Sequence, residues 1–135
     1  MSEANAVALE FLKEHRLGVL ATGRRDGSPQ QALVAYHFDG TNFAIRTGGK
    51  SAKARNLRRG ARASLLVADG GSAVTVYGEA RVVDDVAAVV EYSKTRLRSP
   101  RETGPVDEAA LALRVQDEGR VIIVLTPSNV LTSRL

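Results

Sequence analysis

The residues of this chain with the means to do chemistry are gathered in one stretch, Arg46-Thr47-Gly48-Gly49-Lys50-Ser51-Ala52-Lys53-Ala54-Arg55-Asn56-Leu57-Arg58-Arg59. Between Asp39 and Asp69 there is no acid, and seven bases fall there: Arg46, Lys50, Lys53, Arg55, Arg58, Arg59 and Arg62. The whole chain carries nineteen Lys and Arg against fifteen Asp and Glu, a formal +4. Without those seven it keeps twelve bases and fifteen acids, so the remainder is mildly acidic. A compact basic block on an acidic background points to one particular anion rather than to a diffuse polyanionic surface. The order of residue types supplies the mechanism. A β-type run ends at Thr47, two glycines make a turn, and an Ala-, Lys- and Arg-rich run suited to a helix begins. Backbone N–H groups at a helix start are unpaired and the helix dipole is positive there, which is where a phosphate or carboxylate binds well. Ser51 caps or donates, and Lys53 and Arg55 add full charge.

If the helix runs on, Arg55, Arg58, Arg59 and Arg62 form four like-charge pairs at helical spacing, together costing about 1 to 2 kcal/mol that a bound anion would relieve. The competing reading is a solvated basic face paired with the acidic remainder. Other chemistries find few residues. There is no Cys and only His15 and His37, so no metal or thiol site is expected. Asp84 and Asp85 are adjacent and read as the cap of a following helix rather than as a catalytic pair. Gly49-Lys50-Ser51 matches the end of a phosphate-binding P-loop, but that pattern needs Gly where Ala44 stands. No nucleic-acid readout motif accompanies the bases, and six aromatics without a Trp are few for base stacking, so a nucleic-acid partner is not expected. An anion site without acid–base machinery suits a bound cofactor that carries the chemistry itself.

The elements that must position this stretch follow from periodicity. Residues 3–15 read as a short amphipathic helix, a lid or flank, with Ser2 as its cap. Residues 17–23 and 30–38 read as strands joined across Asp26-Gly27, with Ala32, Val34, Tyr36 and Phe38 alternating and Pro29 at the strand start. Asp39-Gly40 leads into a strand at 42–47. A helix over 51–59 ends at Gly60, and strands at 63–68 and 73–83 flank Asp69-Gly70-Gly71-Ser72. Helices at 86–97 and 107–117 are separated by a loop at Ser99-Pro100 and Gly104-Pro105. Residues 121–125 form a buried strand bracketed by Gly119 and Pro127, with Val130 and Leu131 in a last short one. One domain spanning 1–135 is expected: mainly β with helices, six or seven antiparallel strands in a barrel with short helices at its openings. The absence of an apolar run near 18 residues and of a signal-like start leads to the expectation of a cytoplasmic protein with no membrane span.

Gly18-Val19-Leu20-Ala21-Thr22, Asp26-Gly27-Ser28-Pro29-Gln30, Tyr36-His37-Phe38-Asp39, and Ala52-Lys53-Ala54-Arg55-Asn56-Leu57-Arg58-Arg59 leading into Ala63-Ser64-Leu65-Leu66-Val67 resemble, in that order and spacing, the pyridoxamine 5′-phosphate oxidase-like split β-barrels. More narrowly they look like the class B flavin/deazaflavin oxidoreductases that use coenzyme F420. The likeness runs over residues 16–84 and more weakly over 120–131. It implies a homodimer with a cofactor in each of two clefts at the subunit interface, and a small-molecule acceptor. Carried over residue by residue, Thr47, Ser51, Lys53, Arg55 and Asn56 would hold the cofactor phosphate and tail, and Gln30 would lie near the ring. Relatives often carry Arg where Ser51 stands, which shifts tail contacts toward Lys50. The expected activity is hydride transfer from reduced F420 to an unsaturated organic acceptor. The alternatives are an FMN-binding oxidoreductase or electron-transfer protein, and a non-catalytic small-molecule or haem carrier. True pyridoxamine phosphate oxidases are longer and end in a Trp- and Arg-containing segment that binds the substrate phosphate. This chain has no Trp and stops at Ser133-Arg134-Leu135, so vitamin B6 oxidation is not expected.

Overall fold

The computed structural model of the protein describes residues 3–98 and 101–135; the expected Ser2 cap and the Ser99-Pro100 part of the expected loop lie outside the described residues. Seven strands, β1 (Leu17–Gly23), β2 (Pro29–Ala35), β3 (His37–Phe38), β4 (Phe43–Gly48), β5 (Arg62–Asp69), β6 (Ser72–Val83) and β7 (Arg120–Ser133), form one antiparallel sheet in the order β2-β1-β5-β6-β7-β4-β3. The edge strands β2 and β3 are separated in sequence by Tyr36 alone. The chain can pass from one edge to the other in a single residue only if the sheet curls round, so the sheet is a barrel split between β2 and β3. The alternation expected over 30–38 survives the break, because Val34, Tyr36 and Phe38 all stay inside.

Four helices, α1 (Glu3–Glu14), α2 (Ala52–Arg59), α3 (Val86–Lys94) and α4 (Glu108–Glu118), decorate the sheet. Ala8 and Leu12 of α1 close the barrel core with Leu20, Phe43, Ile45, Leu65, Val67, Val74, Val76, Ile123 and Leu125. The Tyr36 hydroxyl, its pKa pushed up by burial, donates to the Leu12 carbonyl at 2.7 Å. His15 hydrogen-bonds the Phe11 carbonyl at 2.7 Å through one ring nitrogen and Asp69 at 3.1 Å through the other, tying the end of α1 to the β5–β6 turn. A second core on the outer face packs α3 and α4, through Val89, Val90, Leu111 and Val115, against Ala44, Ile122 and Val124. Successive β7 residues therefore bury into different cores, Ile123 and Leu125 inward and Ile122 and Val124 outward, which is why 121–125 is uniformly apolar. No helix among the described residues is long and apolar enough to cross a membrane.

Two expectations need correcting. The last strand does not stop before Pro127 but runs on to Ser133 as one element paired with β6. Proline has no N–H for the ladder. Here the register shifts at Tyr77/Gly78, where Gly78 pairs with Pro127 and Tyr77 with Asn129. Ser128 is the extra residue, and its hydroxyl donates to the Tyr77 carbonyl at 3.2 Å. Gly78 has no room for a side chain, since a Cβ there would stand 2.1 Å from the Thr126 carbonyl oxygen. The other correction concerns the helix at 86–97, which ends at Lys94; the Thr95 hydroxyl takes the Glu91 carbonyl and the chain turns away. The Asp85 cap is as expected, accepting from the Ala88 N–H at 3.0 Å.

The outer face of the other half of the sheet is uncovered. Leu33, Val19, Leu66, Thr75 and Leu131 stand in one register row across β2, β1, β5, β6 and β7. Leu33, Leu66 and Leu131 are 73%, 40% and 54% exposed, and Leu17 beside them is 58% exposed.

Candidate functional site

Helix α2 starts where the sequence places it. Ser51 is its N-cap, with an extended backbone, and its hydroxyl accepts from the Ala54 N–H at 3.3 Å and from the Thr47 hydroxyl at 3.3 Å. The Gly60 N–H closes the helix on the Asn56 carbonyl. Ala54, Asn56 and Leu57 are buried, and Ala52, Arg55 and Arg59 line the side of the helix that faces the β1–β2 hairpin, with Asn56 at the base of that stripe. Because Arg62 lies in β5, two of the four expected like-charge pairs are not helical, and the strain within α2 falls to about 0.4 to 1 kcal/mol.

Between that stripe and the hairpin opens a cleft of about 840 Å³, whose lining includes Gln30, Arg24, Arg25, Arg55, Arg58 and Arg59. Its single carboxylate is Asp26, held below the usual aspartate range by the Ser28 hydroxyl at 2.6 Å and the Ser28 N–H at 2.9 Å. Five of the nineteen bases and one of the fifteen acids line this cleft. The remaining fourteen bases and fourteen acids cancel, so the formal +4 of the chain equals that of the cleft.

A directed chain of hydrogen bonds runs beneath the cleft. Arg59 donates to the Gly23 carbonyl at 3.0 Å and to Asn56 Oδ1 at 2.9 Å. Asn56 Nδ2 donates to Thr22 Oγ1 at 3.0 Å, and that hydroxyl points to Gln30 Oε1 at 3.5 Å. Asn56 and Thr22 are buried, so the amide of Gln30 at the cleft is linked through them to a guanidinium of α2. Arg58 ties the Gly49 carbonyl at 2.5 Å and holds the turn before the helix.

Of the residues expected at the site, Gln30, Arg55 and Asn56 line the cleft. Thr47 and Ser51 meet at the start of α2, Lys53 is half-buried on the helix flank, and Lys50 is exposed in the turn; none of these four is among the cleft-lining residues. The sequence reading missed Arg24 and Arg25 as site residues, taking their segment only as a turn. Their signal was adjacency: two bases beside Asp26-Gly27, a hairpin tip that a seven-stranded barrel carries to the end where α2 starts. A second groove of about 750 Å³ lies at the β6–β7 irregularity, lined in part by Arg62, Tyr77, Glu79 and Arg81. Among the described residues no group of three or more His, Cys, Asp or Glu is placed to hold a metal ion.

Residues 5–133 match the family described as Pyridoxamine 5′-phosphate oxidase. The chain belongs to that family. Within this pyridoxamine 5′-phosphate oxidase family, the chain is 38% identical over 100 residues to the F420H(2)-dependent biliverdin reductase of Mycobacterium tuberculosis (strain CDC 1551 / Oshkosh), covering 70% of this chain and 72% of that protein. A crystal structure of a conserved hypothetical protein from Mycobacterium tuberculosis superposes with a TM-score of 0.72 at 28% identity, covering 98% of this chain and 84% of that one. A structure described as an F420 reductase gives a TM-score of 0.66 at 26% identity, with 90% and 94% covered. The family match extends the likeness beyond residues 16–84 to the α3–α4 pair and the whole of β7.

Proposed function

We propose that this protein is an F420H2-dependent reductase that delivers a hydride to an unsaturated small organic acceptor in the cytoplasm. The observation that carries the reading is the arginine-lined cleft that runs along α2 from Ala52 to Arg59, a cationic site that the chain's own carboxylates leave uncompensated. The F420-dependent relative and the F420 reductase structure support the choice of a deazaflavin. The donor set fits such a cofactor, since cationic and N–H donors suit an anionic tail and a neutral amide, Gln30, suits the polar edge of a ring. When bound, the reduced deazaflavin supplies the hydride, so the protein requires no covalent nucleophile.

Thr47, Ser51, Lys50 and Lys53 are assigned to the phosphate at the helix start, and Arg55 to the adjoining tail. Asn56, with both amide atoms engaged, acts by orienting Arg59 and, through Thr22, Gln30. A homodimer completes the proposal. The exposed Leu33–Leu66–Leu131 row offers an apolar face of the kind two-fold dimers bury, and the neighbouring row, Gln31, Ala21, Ser64, Tyr77 and Asn129, lies one step nearer the cleft end of the sheet. A second copy seated there adjoins the cleft mouth.

Titration of F420 fluorescence with the purified protein tests the reading. Saturable quenching and oxidation of F420H2 on adding an acceptor are expected. Absent F420 binding, or a yellow preparation that retains FMN and ignores F420, overturns it in favour of the flavin alternative.

A further inference from the structure

The cleft is larger and more cationic than one phosphate requires. The Ser51 cap and Arg59 stand eight residues apart on α2, which is about 12 Å along the helix. Thr47 and Ser51, assigned above to the cofactor phosphate, meet at the helix start outside the cleft lining, whereas the arginines are spread along the cleft toward the β1–β2 hairpin. No ion pair among the described residues involves Arg24, Arg25 or Arg55. Arg24 has Asp26 nearby, but that carboxylate is spent on Ser28. Arg25 and Arg55 are exposed guanidiniums of opposite walls, drawn from segments 30 residues apart in sequence. Arginine clusters held together in this way repel one another unless an anion lies between them.

We propose that Arg24 and Arg25, at the hairpin tip, are specificity-determining residues: with Arg55 they bind a second anionic segment of the cofactor, separate from the group held at the start of α2. The inference rests on the F420 reading and deepens it. The site then selects a ligand that carries several separated negative charges, such as the phosphodiester and carboxylates of F420, over one with a single phosphate, such as FMN. The cleft lining has no aromatic side chain on which a base could stack, so the favoured polyanion is a cofactor tail and not a nucleic-acid strand.

The test compares the full-length wild type with Arg24→Gln/Arg25→Gln. Dissociation constants are measured for F420, FMN and inorganic tripolyphosphate over a range of salt concentrations, with melting temperature as the folding control. The double variant is expected to bind F420 about tenfold or more weakly, with a flatter dependence on salt, while the FMN constant stays within about twofold. Arg25→Lys keeps the charge and recovers part of the loss, and Arg25→Gln alone substitutes should the double variant melt early. Unchanged F420 affinity and salt dependence overturn the proposal. So does an FMN loss as large as the F420 loss, which would mark a general field in place of a second subsite. A single-stranded oligonucleotide that binds more tightly than F420 also overturns it. If wild type binds no F420, the functional reading fails separately, and the tripolyphosphate constants still decide whether Arg24 and Arg25 hold an extended anion.

Discussion

The hydrogen-bond chain beneath the cleft makes a quantitative demand on Thr22. Thr22→Val keeps the side chain's shape and removes the hydroxyl, leaving Asn56 Nδ2 without the acceptor it now has at 3.0 Å. Thr22 is 3% exposed and Asn56 8%, so water does not readily replace the lost partner. An orphaned buried donor costs about 1 to 3 kcal/mol, against ~1 kcal/mol for an ordinary hydrogen bond. With unfolding entropy near 2.1 cal/mol/K per residue, a chain of 135 residues loses about 3 to 4 °C of melting temperature per kcal/mol. Asn56→Leu alone removes the donor, strands nothing deeply, and costs less. The double variant removes both partners, so its destabilisation should fall short of the sum of the two by about 1 kcal/mol or more. Urea denaturation of the four proteins at one fixed concentration supplies the cycle. Additivity within ~0.3 kcal/mol would refute the reasoning, because it would mean that the Asn56–Thr22 contact carries no coupling.

Gly78→Ala places a Cβ against the Thr126 carbonyl where no rotamer relieves it, so a loss of about 3 kcal/mol or more is expected, seen as a large fall in melting temperature or failure to fold. Lys53→Ala should weaken F420 binding by about 1.5 to 3 kcal/mol with little change in melting temperature, and a fluorescence titration beside a thermal melt separates the two. The His15 pKa is raised above its ordinary 6.5, first by the Phe11 carbonyl and then by Asp69. Its protonated form therefore stabilises the fold fully below pH 6.5, and that contribution disappears as pH rises through the folded-state value. Because Asp69 is exposed and screened, the swing is expected to be below ~1 kcal/mol; His15→Gln should flatten the melting temperature across this window, and an unaltered profile would show that the clasp carries no stability. On the proposed homodimer, Leu66→Lys puts a charge in the middle of the exposed leucine row and should shift sedimentation from that of a dimer to that of a monomer; a wild type that already sediments as a monomer would refute the dimer.

Periodicity carries the local elements well where one face of a segment is buried. The alternation at Ala32, Val34, Tyr36 and Phe38 reports the barrel interior even though the chain changes sheet edge at Tyr36, because inward facing does not depend on which strand is the neighbour. Periodicity is silent on β7, where two cores on opposite faces erase the alternation. It is also silent where a partner strand absorbs a defect: Pro127 reads as a terminator until β6 supplies Gly78 and the irregular register that accommodates it. The buried amide of Asn56 has no sequence signature at all. Its partners are Thr22, 34 residues earlier, and Arg59, one helical turn on, and only the packing of α2 against β1 brings the three together.

The same distinction between chain and space governs the charge. A segment free of acids from Asp39 to Asp69 marks the right helix but mixes sites: Arg62 faces the second groove, and Arg46 is half-buried near Arg120, its pKa held down chiefly by that burial. The cleft takes three arginines from that segment, Arg55, Arg58 and Arg59, and recruits Arg24 and Arg25 from a hairpin that a count along the chain assigns to the mildly acidic remainder. Coulomb interactions depend on distance through the structure, so on the proposed function an anion in the cleft responds to these five arginines, with Lys50 and Lys53 of the run of seven acting at the helix start and Arg46 and Arg62 lying elsewhere. Arg24→Gln/Arg25→Gln therefore alters tail binding, although neither residue belongs to the basic stretch.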